Sequence, residues 1–239
     1  MRRSIFILAA LALSVVICGC NNSPGRPPAD SESLRPSEVL TFDTLYRQNC
    51  AGCHGGQGRG GAAIALNSPV YLEIADDATI RRVTAQGVPG TAMPAFAQSS
   101  GGMLTDEQIN ALVAGIRSKF GKHVASDVAP PGYSMASGDP RHGAGVYDTY
   151  CLSCHGAAGQ GGSHGGSIVD GSFLNLVSDQ YLRTIVIAGR PELGAPDWRG
   201  NVPGRPMSPQ DVADVVAWLS SQRRKIAISS GTKSPTGGI

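Results

Sequence analysis

At 239 residues the chain can hold one large domain or two of about 100 to 120 residues. Its 32 Gly and 16 Pro make about a fifth of the chain, below the roughly 25–30 % that marks low complexity, so it folds, with much loop. The formal charge of +2 makes no case for nucleic-acid binding, because Arg2 and Arg3 supply it: beyond the first nineteen residues 18 basic side chains balance 18 acidic ones.

The chain opens with a basic pair, Arg2 and Arg3, an apolar run from Ile5 to Ile17, and then small residues, the pattern of an export signal. That run of thirteen is too short for a membrane-spanning helix, which needs about twenty residues. It ends in Ile17-Cys18-Gly19-Cys20, which resembles the lipobox of bacterial lipoproteins. The resemblance implies a signal peptide over 1–19, lipidation of Cys20, and a Ser- and Pro-rich tether over 20–37.

Helical periodicity begins near Glu38 and continues to Cys50, with Phe42, Leu45 and Tyr46 toward one face. A middle helix is predicted over Asp77–Gln86, ended by Gly87. Thr105-Asp106-Glu107-Gln108 reads as a capping box opening a helix that carries Ile109, Leu112, Val113 and Ile116. Pro130-Pro131-Gly132 marks a linker over 125–137. The same succession then returns: a helix from about Arg141 to Cys151, a second from Ser178 to Ala188 ended by Gly189, and a third opened by Ser208-Pro209. Arg223-Arg224-Lys225 reads as a solvated helix end, and 226–239 as a disordered tail. No alternating strand pattern of useful length occurs, so the fold class is all-α.

Four cysteines remain once Cys18 and Cys20 are set aside, and they form two identical pentapeptides, Cys50-Ala51-Gly52-Cys53-His54 and Cys151-Leu152-Ser153-Cys154-His155. Each is a C-x-x-C-H, the pattern of covalent c-type haem attachment. Two thiols three positions apart reach the two vinyl groups on one porphyrin edge, and the adjacent histidine swings beneath the ring to bind iron. A zinc site built from both pairs, a pair of disulfides, or thioredoxin-like redox motifs are the other uses of such spacing. Zinc does not require a histidine at the same place in both copies, and no strand–helix unit of the thioredoxin kind is found. The pentapeptides lie 101 residues apart with matching flanks, Leu45-Tyr46 against Val146-Tyr147 and Gly55 against Gly156. A period of that length implies a duplicated domain, with a haem in each copy completing a core that 5 % aromatic residues leave thin.

These motifs, the Gly-rich runs after them and Met93-Pro94 resemble the class I c-type cytochromes, specifically the diheme, two-domain bacterial type with a lipoprotein signal. The resemblance covers about 38–120 and 139–222 and implies domain boundaries of 38–124 and 138–225. It implies a small helical fold around each of two haem c groups, with Cys50, Cys53, Cys151 and Cys154 as covalent attachments, His54 and His155 as axial iron ligands, and a methionine opposite the histidine. Met93 fits that distal place in the first domain. In the second, Ala195 stands where the repeat puts Met93, which leaves Met207, just before the N-cap Ser208, as the methionine for the second iron. His164, in the Gly-rich run 161–166, is the other donor nearby, while His123 and His142 read as surface residues.

The resemblance implies an electron carrier, not an enzyme, on the periplasmic side of a bacterial inner membrane. Its partners would be a quinol-oxidising complex or dehydrogenase on one side and an oxidase or another cytochrome on the other. A haem enzyme or a gas or redox sensor, using an open position on the second haem, is the alternative reading.

Overall fold

The computed structural model describes residues 34–121, 128–200 and 202–223. It divides into two compact units, one ending at Glu38 and one running from Val39 onward. Of the first, the described residues hold a short 3-10 turn, Pro36–Glu38, with Arg35 paired to Glu38. Residues 1–33, and with them the proposed lipidation site Cys20, lie outside the described residues, as do His123, Arg224 and Lys225.

The second unit holds both repeats. The first half comprises α1 (Phe42–Asn49), α2 (Ala51–His54), α3 (Pro69–Ile74), α4 (Asp77–Gln86) and α5 (Asp106–Phe120). The second comprises α6 (Pro140–Tyr150), α7 (Leu152–His155), α8 (Gly171–Leu176), α9 (Asp179–Ala188) and α10 (Pro209–Ser221). Among the described residues there is no strand, only the isolated bridges Ala97–Leu104 and Arg190–Ala195. The fold is therefore all-helical, as the periodicity predicts.

Local chemistry accounts for most helix ends. Asp76 caps α4 by accepting from the Thr79 N–H at 2.7 Å, and the predicted box at Thr105 closes with both of its hydrogen bonds. Ser208 does more than the sequence promised: Asp211 reaches back to its N–H, so α10 opens with a capping box too. α1 begins at Phe42, four residues later than predicted, because Pro36–Glu38 turns as a separate 3-10 piece. Helices α3 and α8 have six residues each, too few for periodicity to reveal, though Ser68 and Asp170 cap them.

In both halves the last helix crosses the first at a glycine, but the large partner is exchanged. In the first half Gly115 of α5 lies under Phe42 of α1, and a Cβ on Gly115 would stand 2.0 Å from the Phe42 ring. In the second half the glycine is Gly143 of α6, and the bulk is Trp218 of α10, whose ring stacks on Tyr147 with centroids 4.4 Å apart. Each crossing keeps one small and one large residue, so the helices approach closely in either order.

A second shared device is an arginine that gathers chain ends. Arg117 donates to the carbonyls of Leu72 and Ala75 and, at 2.5 Å, to Asp77. Arg223 does the same from the far end of α10, donating to Leu174 and Val177 carbonyls at 3.0 Å each and pairing with Asp179. The reading of Arg223 as part of a solvated helix end is therefore corrected: its guanidinium satisfies carbonyls that α8 leaves without intrahelical partners.

The halves are packed on one another. α3 lies against α9, and one continuous apolar core runs from Leu45, Ile109 and Leu112 in the first half to Val146, Ile187 and Val215 in the second. The linker segment follows this seam, with the Gly132 carbonyl accepting from Arg183 and the Tyr133 carbonyl from Gln180.

Candidate haem centres

Each pentapeptide forms one tight helical turn at the end of its half's first helix. Cys50 ends α1 and starts α2, and the His54 N–H returns to the Cys50 carbonyl at 3.0 Å. The same bond joins His155 to Cys151 at 2.9 Å. A glycine must follow, because Gly55 and Gly156 take φ of +81° and +71° and a Cβ at either would fall within 2.1 Å of a carbonyl oxygen. The turn is braced from the preceding helix: Tyr46 donates to the Gly55 carbonyl at 2.8 Å, and Tyr147 donates likewise to Gly156.

The imidazoles are oriented from behind. His54 Nδ1 lies 2.8 Å from the Ile64 carbonyl and His155 Nδ1 2.9 Å from the Gly166 carbonyl. A carbonyl oxygen only accepts, so Nδ1 carries the proton in both rings and Nε2 is left with a free lone pair. Burial holds His54 below the usual histidine range, against the opposing pull of its bond to Ile64, and so keeps the ring neutral. The segments that hold the rings, 61–64 and 162–166, place glycines where they press on the turn. A Cβ on Gly61 would lie 2.1 Å from the Cys53 carbonyl, and one on Gly165 would lie 2.9 Å from the His155 ring.

All four cysteines are free thiols, one of each pair partly buried and the other exposed. Burial first, and the neighbouring Cys53 or Cys154 second, push the Cys50 thiol up to about 11 and the Cys151 thiol up to about 12. Among the described residues no three His, Cys, Asp or Glu side chains converge as a metal cluster. Two thiols on one helical turn, with an imidazole beside them whose Nδ1 is engaged by a carbonyl so that Nε2 is the nitrogen left to ligate, do suit thioether attachment and axial ligation of a haem.

Met93 is half-buried in a loop closed by the Val88 N–H donating to its carbonyl at 3.0 Å. The equivalent bond in the second half, 2.9 Å, runs from the Arg190 N–H to the Ala195 carbonyl. Gly87 and Gly189, both at φ +67°, stand against the peptides after Pro94 and Pro196. The register of the two loops is thus the same, and Ala195 occupies the place of Met93. Met207 is 3 % exposed, and its N–H donates to the Trp198 carbonyl as that of Leu104 does to Phe96. Its backbone therefore occupies the place of Leu104. His164 is exposed beside Ser163, on the same Gly-rich run whose Gly166 carbonyl holds His155.

Two residues with defined roles escaped the sequence reading. Arg190 joins the halves, donating to the Gly61 carbonyl at 2.9 Å. Asp214, at 3 % side-chain exposure, accepts from the Asp139 N–H at 2.7 Å, from Gln210 at 2.8 Å and from His142 at 2.6 Å. His142 is exposed, as expected of a surface residue, but it is paired. A groove of about 880 Å³ lined by Phe42, Arg47, Lys119, Phe120, Pro191 and Glu192 includes none of the four cysteines and neither His54 nor His155.

A helical fold repeated in tandem, each copy carrying a Cys-x-x-Cys-His turn with its imidazole locked from behind, defines a class I c-type cytochrome, a protein of electron transfer. The comparisons place it further. The family model described as "Cytochrome C oxidase, cbb3-type, subunit III" matches residues 38–114 and 138–219, more than half of the chain, and the chain belongs to that family. A curated relative, the "Cbb3-type cytochrome c oxidase subunit CcoP" of Azospirillum sp. (strain B510), is 33 % identical over 139 residues, 54 % of this chain and 42 % of the relative. The chain thus spans less than half the length of that relative. Among solved structures, a reducing HAO-like protein complex of Kuenenia stuttgartiensis matches with a TM-score of 0.45 and 19 % identity, covering 77 % of this chain and 96 % of that one. Thiosulfate dehydrogenase (TsdBA) from Marichromatium purpuratum matches with a TM-score of 0.30 and 19 % identity, covering 83 % of this chain and 50 % of that one. Scores this low do not bear on function.

Proposed function

We propose that the protein is a diheme electron carrier, tethered by a lipid on Cys20 to the periplasmic side of a bacterial inner membrane. It would pass electrons from a quinol-oxidising complex or dehydrogenase to an oxidase or another cytochrome. The observation that carries the reading is the pair of Cys-x-x-Cys-His turns whose Nδ1–H groups are spent on the Ile64 and Gly166 carbonyls, leaving each Nε2 available to iron. Membership in a cytochrome oxidase subunit family supports work within, or beside, an oxidase complex. Among the described residues no helix is long and apolar enough to cross a membrane, and the export signal and Cys20 supply the tether in this reading.

Haem iron contributes the one-electron couple, and the chain's residues set how it works. Cys50 and Cys53, and Cys151 and Cys154, would hold a haem in each half through thioether bonds, each S–H adding across one vinyl double bond. His54 and His155 would offer Nε2 to iron, and their Nδ1 hydrogen bonds to the Ile64 and Gly166 carbonyls fix the ring plane and raise Nε2 basicity. Met93 would supply the second donor to the first iron, its soft sulfur favouring the reduced state. Met207 would supply it to the second iron, from the place that Leu104 holds in the first half. The substitution of Ala195 for Met93 favours one competing reading, a second centre open to a small gas or other exogenous ligand.

The test is direct. Protein expressed with a periplasmic haem-attachment system should retain two covalent haems per chain after denaturation, and Cys53→Ala with Cys154→Ala should sharply reduce that number. Recovery of a zinc protein or of disulfides in their place refutes the assignment. Cys20→Ala should release the protein from the detergent phase, and a mature N-terminus elsewhere refutes the anchor.

A further inference from the structure

We infer that Arg190 is a positioning residue that ties the distal turn of the second haem centre to the proximal segment of the first, and so sets electron exchange between the two irons. The inference rests on the diheme reading above. Its ground is a juxtaposition that the repeat does not require.

Within its own half Arg190 begins the turn 190–195, and both of its backbone groups are bonded to Ala195, N–H to carbonyl at 2.9 Å and carbonyl to N–H at 3.1 Å. Ala195 holds the place that Met93 holds in the first half, so this turn covers the distal side of the second centre. The Arg190 side chain leaves that turn and crosses the seam. Its Nη2 donates to the Gly61 carbonyl at 2.9 Å, a contact spanning 129 residues of chain. Gly61 is packed so closely on the Cys-x-x-Cys-His turn that a Cβ there would lie 2.1 Å from the Cys53 carbonyl. Three residues further on, the Ile64 carbonyl holds His54 Nδ1. One side chain therefore links the strut behind the first proximal histidine with the turn over the second iron.

Three features make the link stiff. The Arg190 side chain is only 12 % exposed. Its Nε pairs with Glu192 Oε1 at 2.5 Å, so the guanidinium is neutralised within its own turn and its plane is held. Its remaining reach touches Tyr181 of α9, the helix that packs on α3 of the first half. The equivalent position in the first half is Val88, which makes the same backbone bond to Met93 and has no donor to send anywhere. The haem fold alone thus does not require an arginine here.

The step served is the transfer of one electron between the irons, one oxidised from ferrous to ferric as the other is reduced, with no proton or atom moved by the chain. Tunnelling falls exponentially with distance, so a pinned seam gives one rate and a loosened one a slower, dispersed rate. Arg190→Leu removes the cross-seam donor, and Arg190→Lys keeps a charged donor but not the planar fork that reaches Gly61 and Glu192 together. After photoreduction of one haem in the two-haem protein, Arg190→Leu should slow equilibration between the irons several-fold and make it multi-exponential. It should also move the two midpoint potentials relative to each other, with Arg190→Lys in between. An equilibration rate and a pair of potentials unchanged in Arg190→Leu overturn the inference. If Arg190→Leu does not fold, Arg190→Lys decides by the same measurements, unchanged values overturning it. Haem counting on the unaltered protein tests the diheme reading separately: two haems with unaffected exchange would leave that reading standing and remove the role of Arg190.

Discussion

Gly143→Ala examines the helix crossing at the base of the second half. A Cβ on Gly143 would lie 2.0 Å from the Asp214 carbonyl oxygen, 2.6 Å from its carbon and 2.8 Å from the Trp218 Cβ. The two nearest atoms are backbone, so relief requires α6 and α10 to separate. Asp214 cannot retreat freely, since its carboxylate is bonded to the Asp139 N–H, Gln210 and His142. Overpacking of this kind costs about 1–3 kcal/mol, and a rigid backbone obstacle puts it near the upper end. Replacing a helical glycine by alanine returns up to about 1 kcal/mol. The net expectation is a loss of about 1–2 kcal/mol. Gly115→Ala is the internal comparison: its Cβ meets the ring and, at 2.8 Å, the Cβ of Phe42, side-chain atoms where Gly143 meets backbone, so the loss should be smaller. Guanidinium unfolding of the haem-loaded protein, followed by far-ultraviolet circular dichroism and haem absorbance, measures both. Trp218→Ala should not rescue Gly143→Ala, because the obstacle is the Asp214 carbonyl. A Gly143→Ala protein as stable as the parent, or more stable than Gly115→Ala, refutes the close-crossing argument.

The His142–Asp214 pair should make stability depend on pH at both ends. Its hydrogen bond to Asp214 raises His142 above 6.5, so the His142 contribution is complete below about pH 6.5 and is lost as pH rises through the folded value. Burial pushes Asp214 up, but bonds from the Asp139 N–H, His142 and Gln210 outweigh it and hold the acid below 3.8; its contribution is present above about pH 3.8 and lost as pH falls through the folded value. Urea midpoints should therefore peak between those limits, and His142→Ala should flatten the alkaline side; an unchanged slope there refutes the pairing. Arg223→Ala strips donors from the Leu174 and Val177 carbonyls and should cost about 1–3 kcal/mol, with truncation of 224–239 as a control for mere loss of tail charge. Met207→Leu is close to volume-conserving and should cost under about 1.5 kcal/mol, while removing part of the sulfur-to-iron charge-transfer band and admitting carbon monoxide to the reduced second haem. A Met207→Leu spectrum identical to the parent's eliminates Met207 as a ligand and favours the open-site reading.

The features legible in the sequence are those whose causes lie within a turn or two of chain. Cys50 to Gly55 and Cys151 to Gly156 close on themselves through bonds from residue to residue three or four apart, so their spacing alone announces the haem turn. Thr105 with Gln108 and Gly87 with Gly189 are likewise local signals, and they marked helix ends correctly. The six-residue helices α3 and α8 escaped because so short a run gives periodicity too little to repeat. Tertiary packing decided the rest. That Arg223 serves the end of α8 as Arg117 serves α3 is hidden by a shift of about one helical turn along the last helix, which puts the two arginines out of register in the repeat while their guanidinium groups meet equivalent carbonyls. That Phe42 over Gly115 corresponds to Trp218 over Gly143 depends on two helices meeting at a set distance, where only the sum of the facing volumes is constrained. The Arg190 bond to Gly61 joins residues 129 apart, and no pattern within either repeat encodes it. Short-range hydrogen bonds are written by neighbouring residues and survive in any context, whereas a contact across the seam exists only once two preformed surfaces have closed on each other and left a buried donor one carbonyl to reach.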